Sequence, residues 1–175
     1  MTTDRGSSRH PVLVVTDTNV FIDLMSVDAL EAFFALSLEV HTTGFVTNEL
    51  NKEQSALLVP HIGGGRMLID RFTDVEIREI MEMTTRNVLH FTDRSVIHLA
   101  GKLTATVLSG DGRLWKECKA RRLDVHGSLW VVEQIWVKQL VQPVACIDKL
   151  KALKKINSRL PKDKIDALIE RIRKG

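Results

Sequence analysis

Four acidic residues occupy positions from which they could share a divalent cation. Asp17 and Asp111 each close a short apolar run, and Glu49 and Asp93 each stand in the first turn of a predicted helix. Carboxylate oxygens are the ligands that Mg²⁺ and Mn²⁺ prefer. A cation held by such groups lowers the pKa of a bound water and neutralises charge that develops on a phosphate, so the set suits hydrolysis of a phosphodiester.

The four acids are expected to play different roles in that chemistry. Asp17 and Asp111 are the firmest predicted metal ligands, and Asp93 is expected to bind the same ion or a second one. Glu49 is expected to hold metal through a water or to help deprotonate the nucleophile. Taken singly, Asp93 could equally cap its helix, Asp111 could be a turn residue and Glu49 an exposed helix acid. The hypothesis therefore depends on all four arriving together.

The elements that would bring the acids together alternate between strands and helices. Residues 12–15 form an apolar run bounded by Pro11 and by polar residues, which is typical of a strand buried on both faces of a parallel sheet. Repeated alternation of such runs with amphipathic segments predicts an α/β sandwich. Right-handed crossovers place the strand-to-helix junctions at one edge of a parallel sheet, where open α/β folds bind their ligands.

Local patterns give further expectations about individual elements. Asp28 followed by Glu31 predicts a capped helix that runs to about residue 36, and Thr73 followed by Glu76 predicts another. Residues 61–66 contain three consecutive glycines and are expected to form a flexible loop.

The composition is that of a soluble globular protein of one domain, with 175 residues, 44% apolar and 27% charged. No run approaches the ~20 apolar residues of a membrane span, and the first ten residues lack the apolar segment of a signal peptide. We therefore expect a cytoplasmic protein with no membrane partner. Cys118 and Cys146 are expected to be buried free thiols rather than a disulfide or a zinc site.

Positive charge is concentrated near the C-terminus. From Asp148 onward there are ten Lys or Arg residues against four acids, although the net charge of the whole chain is only +3. Two helices are predicted in this region, and their surplus of charge permits an acidic partner such as RNA. A pair of solvated surface helices would look the same. Arg113, Lys116 and Lys119, which closely follow the fourth acid, are weaker candidates for contacts with RNA phosphates.

At four places the sequence resembles the motifs of the PIN-domain ribonucleases. They are V-T-D-T-N-V-F-I-D (residues 15–23), V-T-N-E-L (46–50), T-D-R-S-V-I-H-L-A (92–100) and V-L-S-G-D-G-R (107–113). The resemblance covers roughly residues 12–141. Residues 127–129 and the two C-terminal helices are similar to a prokaryotic subgroup of that family linked to toxin–antitoxin modules (VapC-like).

That resemblance implies a three-layer sandwich around a five-stranded parallel sheet. It implies a flexible tail over residues 1–11, a PIN-like domain over 12–141, and basic helices over 142–175 packed on the same domain. The implied activity is that of a Mg²⁺- or Mn²⁺-dependent endoribonuclease acting on single-stranded or structured RNA. The implied partners are a second copy of the chain, in a homodimer, and an antitoxin protein.

The matching motifs also imply the residues of the site. Asp17, Glu49, Asp93 and Asp111 correspond to the acidic metal site of the family, and the residues after Asp17, Thr18 or Asn19, correspond to a supporting polar group. Where the family often has Asp or Asn directly after the fourth acid, this chain has Gly followed by Arg. Whether one metal ion or two would bind is therefore left open.

Two other functions fit parts of the same pattern. A PIN-like module that binds RNA or protein without cleaving would keep the same acids. A phosphotransfer protein, either a receiver domain or an aspartyl phosphatase, would use Asp17 as a phosphorylated nucleophile. Against that class, position 19 is Asn where an aspartyl phosphatase needs Asp, and no Lys follows the fifth predicted strand as a receiver requires.

Overall fold

The protein folds around a single parallel sheet. The structure is a computed structural model that describes residues 11–175, so the predicted tail over residues 1–11 lies outside the described residues apart from Pro11. In the described part of the chain five strands pair in the order β3-β2-β1-β4-β5. They are β1 Val12–Thr16, β2 Leu38–Thr43, β3 Met67–Asp70, β4 Thr106–Leu108 and β5 Val125–His126. The predicted α/β sandwich with a five-stranded parallel sheet is confirmed.

Within residues 11–175, ten helices surround this sheet. The first five are α1 Thr18–Ser26, α2 Leu30–Phe34, α3 Gly44–Asn48, α4 Lys52–Gly63 and α5 Asp74–Glu82. The others are α6 Phe91–Leu103, α7 Gly112–Ala120, α8 Ser128–Val137, α9 Pro143–Ile156 and α10 Lys162–Lys174.

The strand order creates one point at which a ligand site is expected. From the central strand β1 the chain moves to β2 and β3 on one side, then returns to β4 and β5 on the other. Because each crossover is right-handed, the helices of the two halves lie on opposite faces of the sheet, and a crevice forms where the direction reverses. That crevice lies between the carboxyl ends of β1 and β4, which pair directly from Val14 with Thr106 to Thr16 with Leu108.

The core explains why the central strand reads as an unbroken apolar run. Val14 and Val15 are fully buried because helices cover both faces of β1. Helix α6 packs against β1, β2 and β4, and it buries Val96 and Leu99 in that contact. Helix α1 contributes Phe21, which is also fully buried.

Helices α9 and α10 pack on α8 rather than on the sheet. Apolar residues at helical spacing face inward, namely Leu150 and Leu153 of α9 with Ile165 and Ile169 of α10. The exposed faces of both helices carry the basic residues. The two helices are therefore packed as an outer layer, here called the C-terminal hairpin (residues 143–174).

Two local predictions were wrong. Asp28 does not cap α2, because its backbone is left-handed (φ 51°) and the residue before the helix is Ala29, which makes no side-chain capping bond. Glu31 instead reaches across to Arg66, with 3.2 Å between Oε2 and Nη1. Residues 61–63 are the end of α4 rather than a loop, since the capping box of Asn51 starts that helix and it continues through Pro60. The capping box of Thr73 is present as predicted.

Candidate active site

Asp17 lies at the bottom of the crevice between β1 and β4. Its backbone N–H continues the ladder by donating to the carbonyl of Leu108 over 2.9 Å. Its side chain then caps α1, since Oδ1 accepts from the backbone N–H of Thr18 at 2.8 Å. The Asp17 side chain is therefore fixed between a strand end and a helix start, and the residue is only 3% exposed.

Two neighbouring polar side chains hold the other oxygen of Asp17. Oδ2 accepts from Nδ2 of Asn19 at 2.6 Å and from Oγ of Ser109 at 2.7 Å. Asn19 also accepts from the backbone N–H of Gly110 at 2.5 Å. A Cβ at position 110 would lie 3.1 Å from that Asn19 oxygen, so glycine is the residue that allows this close approach. These contacts lock the β1–α1 and β4–α7 junctions together.

Asp111 stands across the crevice and caps α7. Its Oδ1 accepts from the backbone N–H groups of Arg113 and Leu114 at 2.7 and 3.0 Å, and its own N–H donates to Oγ of Ser109 at 3.0 Å. One hydroxyl group, that of Ser109, thus contacts both Asp17 and Asp111. The two strand-end acids are brought together as the sequence predicted.

Glu49 reaches the same crevice from a different element than predicted. It is the residue that ends the short helix α3 rather than a first-turn residue, because Thr43 caps α3 and the helix begins directly after β2 at Gly44. Its Oε2 accepts from Oγ1 of Thr18 at 2.7 Å. Thr18 is therefore the residue that links Glu49 to the Asp17 junction.

Asp93 lies in the first turn of α6, as predicted. Its Oδ2 accepts from the backbone N–H of His90 at 2.9 Å. One turn further along the helix, Oγ of Ser95 lies 3.0 Å from Oγ1 of Thr43 at the end of β2. That buried contact fixes the first turn of α6 against the carboxyl edge of the sheet.

The charges of these acids influence one another. Burial raises the pKa of Asp17 to about 6; hydrogen bonds from Ser109 and Thr18 lower it, while the charges of Asp93 and Glu49 raise it. Burial also raises the pKa of Asp93, against the hydrogen bond from His90, and the charges of Asp111 and Glu49 add to the rise. The four carboxylates therefore form one electrostatic group that positive charge would stabilise.

The donor set fits a hard divalent cation in its chemistry. All the donors are carboxylate oxygens, and Asp111 and Asp93 each use one oxygen to cap their own helix. Across residues 11–175, however, no three His, Cys, Asp or Glu side chains lie close enough together to form a metal-binding group. Mutual repulsion between the carboxylates favours such separation. The assignment of Asp17, Asp93 and Asp111 as metal ligands stays a prediction.

The predicted RNA-contacting residues lie on α7. Arg113 is exposed in its first turn, next to Asp111, and Lys116 and Lys119 are exposed further along. Lys119 covers the ring of Trp115, with Nζ 5.5 Å from the ring centroid. Arg113 is thus the nearest of the three along the chain to the acidic group.

Sequence reasoning missed Ser109 and Trp115. Ser109 is fully buried between the two strand-end acids, and Trp115 Nε1 donates to the carbonyl of Ser109 at 2.5 Å. The available signal was a small hydroxyl residue at the carboxyl end of β4, directly before the glycine and the acid. No local signal pointed to Trp115, because its partner lies six residues earlier and on a different element.

Comparison with known protein families agrees with this arrangement. The family model DUF3368, described as a PIN domain, matches residues 13–174. The chain belongs to the PIN-domain family. The match includes the C-terminal hairpin of this PIN domain as well as the sheet, and it confirms the family inferred from the four motifs. No curated protein matches the chain.

Membership of the family sets the general class of this PIN domain. PIN domains have a nuclease-type fold and typically use divalent metal ions. That membership favours a nuclease over a receiver domain or an aspartyl phosphatase. Within the described residues, no helix is long and apolar enough to cross a membrane.

Proposed function

We propose that this PIN domain is a Mg²⁺- or Mn²⁺-dependent endoribonuclease, with Asp17, Glu49, Asp93 and Asp111 as its acidic site. The observation that carries the proposal is the buried carboxylate of Asp17 in the crevice between β1 and β4. Its pKa is raised by burial and further by the charges of Asp93 and Glu49, which is the electrostatic situation that a bound cation relieves.

Each residue has a distinct part in that function. Asp17, Asp93 and Asp111 would hold the cation, which supplies an activated water and neutralises charge on the phosphate. Glu49, which is exposed and bonded to Thr18, is placed to accept a proton from an incoming water. Asn19 and Ser109 orient Asp17, and Arg113 offers its charge to a neighbouring phosphate at the start of α7.

One observation favours a second candidate, a PIN-like module that binds RNA or protein without cleaving. Within residues 11–175 no three acids form a ready metal-binding group, and Asp93 and Asp111 are both engaged as helix caps. A protein in which those caps outcompeted a cation would keep the fold and lose the chemistry.

Cleavage of a labelled single-stranded RNA distinguishes the two candidates. The wild type is compared in Mn²⁺, in Mg²⁺ and in EDTA with Asp17→Asn and Asp111→Asn. The matched control is Asp124→Asn, since Asp124 is exposed and lies outside the acidic group. We expect cleavage by the wild type and the control with metal only, and loss of cleavage in the two site variants. Cleavage that persists in EDTA and in both site variants contradicts the metal-nuclease proposal, while no cleavage by any protein supports the binding module.

The proposal extends to a toxin of a toxin–antitoxin module, acting in the cytoplasm as a homodimer and held by an antitoxin protein. Its support is the similarity of residues 127–129 and the C-terminal helices to that prokaryotic subgroup. Expression of the wild type should arrest bacterial growth, and Asp17→Asn should not. Growth arrest by both proteins would contradict a toxic nuclease activity, and sedimentation velocity would test the dimer separately.

A further inference from the structure

A buried carboxylate outside the acidic group connects α1 to the C-terminal hairpin. Asp23 of α1 is 5% exposed. Its Oδ2 accepts from Oγ of Ser128 at 2.6 Å, and its two oxygens accept from Nδ2 of Asn157 at 3.0 and 3.2 Å. Asn157 is the residue that ends α9. The turn between α9 and α10, residues 157–161, is therefore tied to the body of the domain.

These contacts place the α9–α10 turn at the same edge of the sheet as the acidic group. Ser128 begins α8 directly after β5, so it lies near the carboxyl end of that strand. Asp23 follows Asp17 by six residues along α1, or roughly 9 Å at ~1.5 Å per residue. Since Asp23 contacts both Ser128 and Asn157, the turn lies beside the crevice, on the β5 side.

The second contact between α1 and the hairpin supports this orientation. Nζ of Lys149 donates to the backbone carbonyls of Val27 and Asp28, at 2.8 and 2.6 Å. The hairpin is therefore held against the C-terminal end of α1 at two points along α9, which fixes its position relative to the crevice.

The residues around the turn are strongly cationic. Residues 151–164 contain six Lys or Arg residues and one acid, Asp163. Lys155, Arg159 and Lys162 are exposed and lie within five residues of Asn157. In the described part of the chain none of these three is paired with a carboxylate, whereas the neighbouring Lys154 binds Asp166 at 2.7 Å. The charge of the three side chains is thus presented to solvent beside the acidic group.

We propose that Lys155, Arg159 and Lys162 bind backbone phosphates of the RNA strand next to the bond that is cleaved, an inference that rests on the proposed ribonuclease function. The acidic group itself repels a polyanion, so a cationic surface beside it supplies the attraction that holds the strand. The backbone N–H of Arg159 donates to Oδ1 of Asn157 at 3.0 Å, which fixes the turn and the base of the arginine side chain. Such contacts add affinity and position without reading base sequence.

The test uses two triple variants of equal charge change. Lys155→Gln/Arg159→Gln/Lys162→Gln alters the turn. Arg78→Gln/Lys138→Gln/Lys174→Gln alters three exposed cations elsewhere, of which Lys138 follows α8 and Lys174 ends α10, the ends of those helices remote from the crevice. Both sets are made in the full chain with Asp17→Asn, and binding of a labelled single-stranded RNA is measured in EDTA over a range of KCl concentrations.

We expect the turn variant to raise Kd by about tenfold or more at ~100 mM salt, and to reduce the slope of log K against log salt by about 2, at ~0.7 per lost contact for single strands. The control variant should change both quantities much less. Equal effects of the two variants, or none, would overturn the proposal and leave the turn for another partner such as an acidic protein surface.

A kinetic comparison separates this proposal from the proposed function. In proteins with Asp17 intact, the turn variant should raise KM for a long RNA with kcat unchanged, and should leave a dinucleotide substrate unaffected because it cannot span the crevice and the turn. An equal loss on both substrates would overturn the proposal. If the wild type cleaves no RNA, the proposed function fails, and the binding experiment still decides whether the turn holds RNA.

Discussion

The side-chain amide of Asn19 donates to Oδ2 of Asp17 over 2.6 Å, and the same amide accepts from the backbone N–H of Gly110. One side chain on the first turn of α1 therefore both orients the buried acid and anchors the loop that carries Asp111. The geometry of the acidic group depends on this amide as much as on the acids themselves.

Asn19→Ala should destabilise the protein, because it removes a donor from Asp17 and leaves the Gly110 N–H without its acceptor. We expect the free energy of unfolding to fall by about 1–3 kcal/mol in urea denaturation. Asn19→Asp keeps an acceptor for Gly110 but sets a second carboxylate against Asp17. Its destabilisation should be larger in EDTA and should shrink when Mn²⁺ is added; a loss of stability that is independent of the metal would contradict this account.

Asp17→Asn should stabilise the metal-free protein at neutral pH. The pKa of Asp17 is raised from 3.8 to about 6 in the folded protein, so the folded state holds the proton more tightly than the unfolded chain. Stability is therefore greatest below pH 3.8 and falls as the pH rises through about 6, by roughly 3 kcal/mol at 1.36 kcal/mol per pKa unit. Asparagine carries no charge and removes this loss.

The measurement is the free energy of unfolding in EDTA from pH 4 to pH 8. The stability of Asp17→Asn relative to the wild type should increase across that range, and the exposed control Asp124→Asn should follow the wild type. Parallel curves for Asp17→Asn and the wild type would show that the buried carboxylate is not under electrostatic strain.

His41 should give the wild type a second, independent pH dependence. Its ring lies between Asp70 and Glu39, with Nδ1 to Oδ2 at 2.6 Å and Nε2 to Oε1 at 3.1 Å. Burial lowers the pKa of His41, but hydrogen bonds to the two carboxylates outweigh it, and the pKa is raised above 6.5. The resulting stabilisation is complete below pH 6.5 and is lost as the pH rises through the pKa of the folded state.

Replacement of a partner tests that assignment. Asp70→Asn should lower the pKa of His41, measured by NMR titration of its ring protons, and should flatten the fall in stability above pH 6.5. An unchanged titration of His41 in Asp70→Asn would mean that the contact contributes nothing in solution.

Glu117→Gln should loosen the segment between α5 and α6. Glu117 is 3% exposed and accepts from the backbone N–H of Arg86 and from Nε of Arg121, each at 2.9 Å. Since a glutamine can satisfy only one of these donors well, stability should fall by about 1–3 kcal/mol. Amide exchange at Arg86 and tryptic cleavage there should accelerate.

A surface pair provides the comparison. Glu133 binds Arg171 at 2.7 Å, with side-chain exposures of 27% and 59%, and Glu133→Gln should cost less than about 1 kcal/mol. Equal effects of the two substitutions would show that the buried position of Glu117 brings no extra stabilisation.

The sequence was most informative where a local pattern coincides with the structural role. Asp17 and Asp111 each follow an apolar run, and the ends of parallel strands must meet at one edge, so their proximity could be predicted. Glu49 was assigned to the right edge but the wrong element, because the cap that starts α3 is Thr43, which also ends β2. Ser109 and Asp23 acquire their roles through partners about a hundred residues away, which no local pattern encodes.

Asp23 also sets an order on the making of the protein. Its carboxylate and the amide of Asn157 are 134 residues apart in the chain, so during synthesis the first helix is complete long before its last hydrogen-bond donor has been made. Until then a nascent domain has a buried acid with part of its donors missing, which disfavours the compact state. Full assembly of the domain is thereby delayed until nearly the whole chain has emerged from the ribosome.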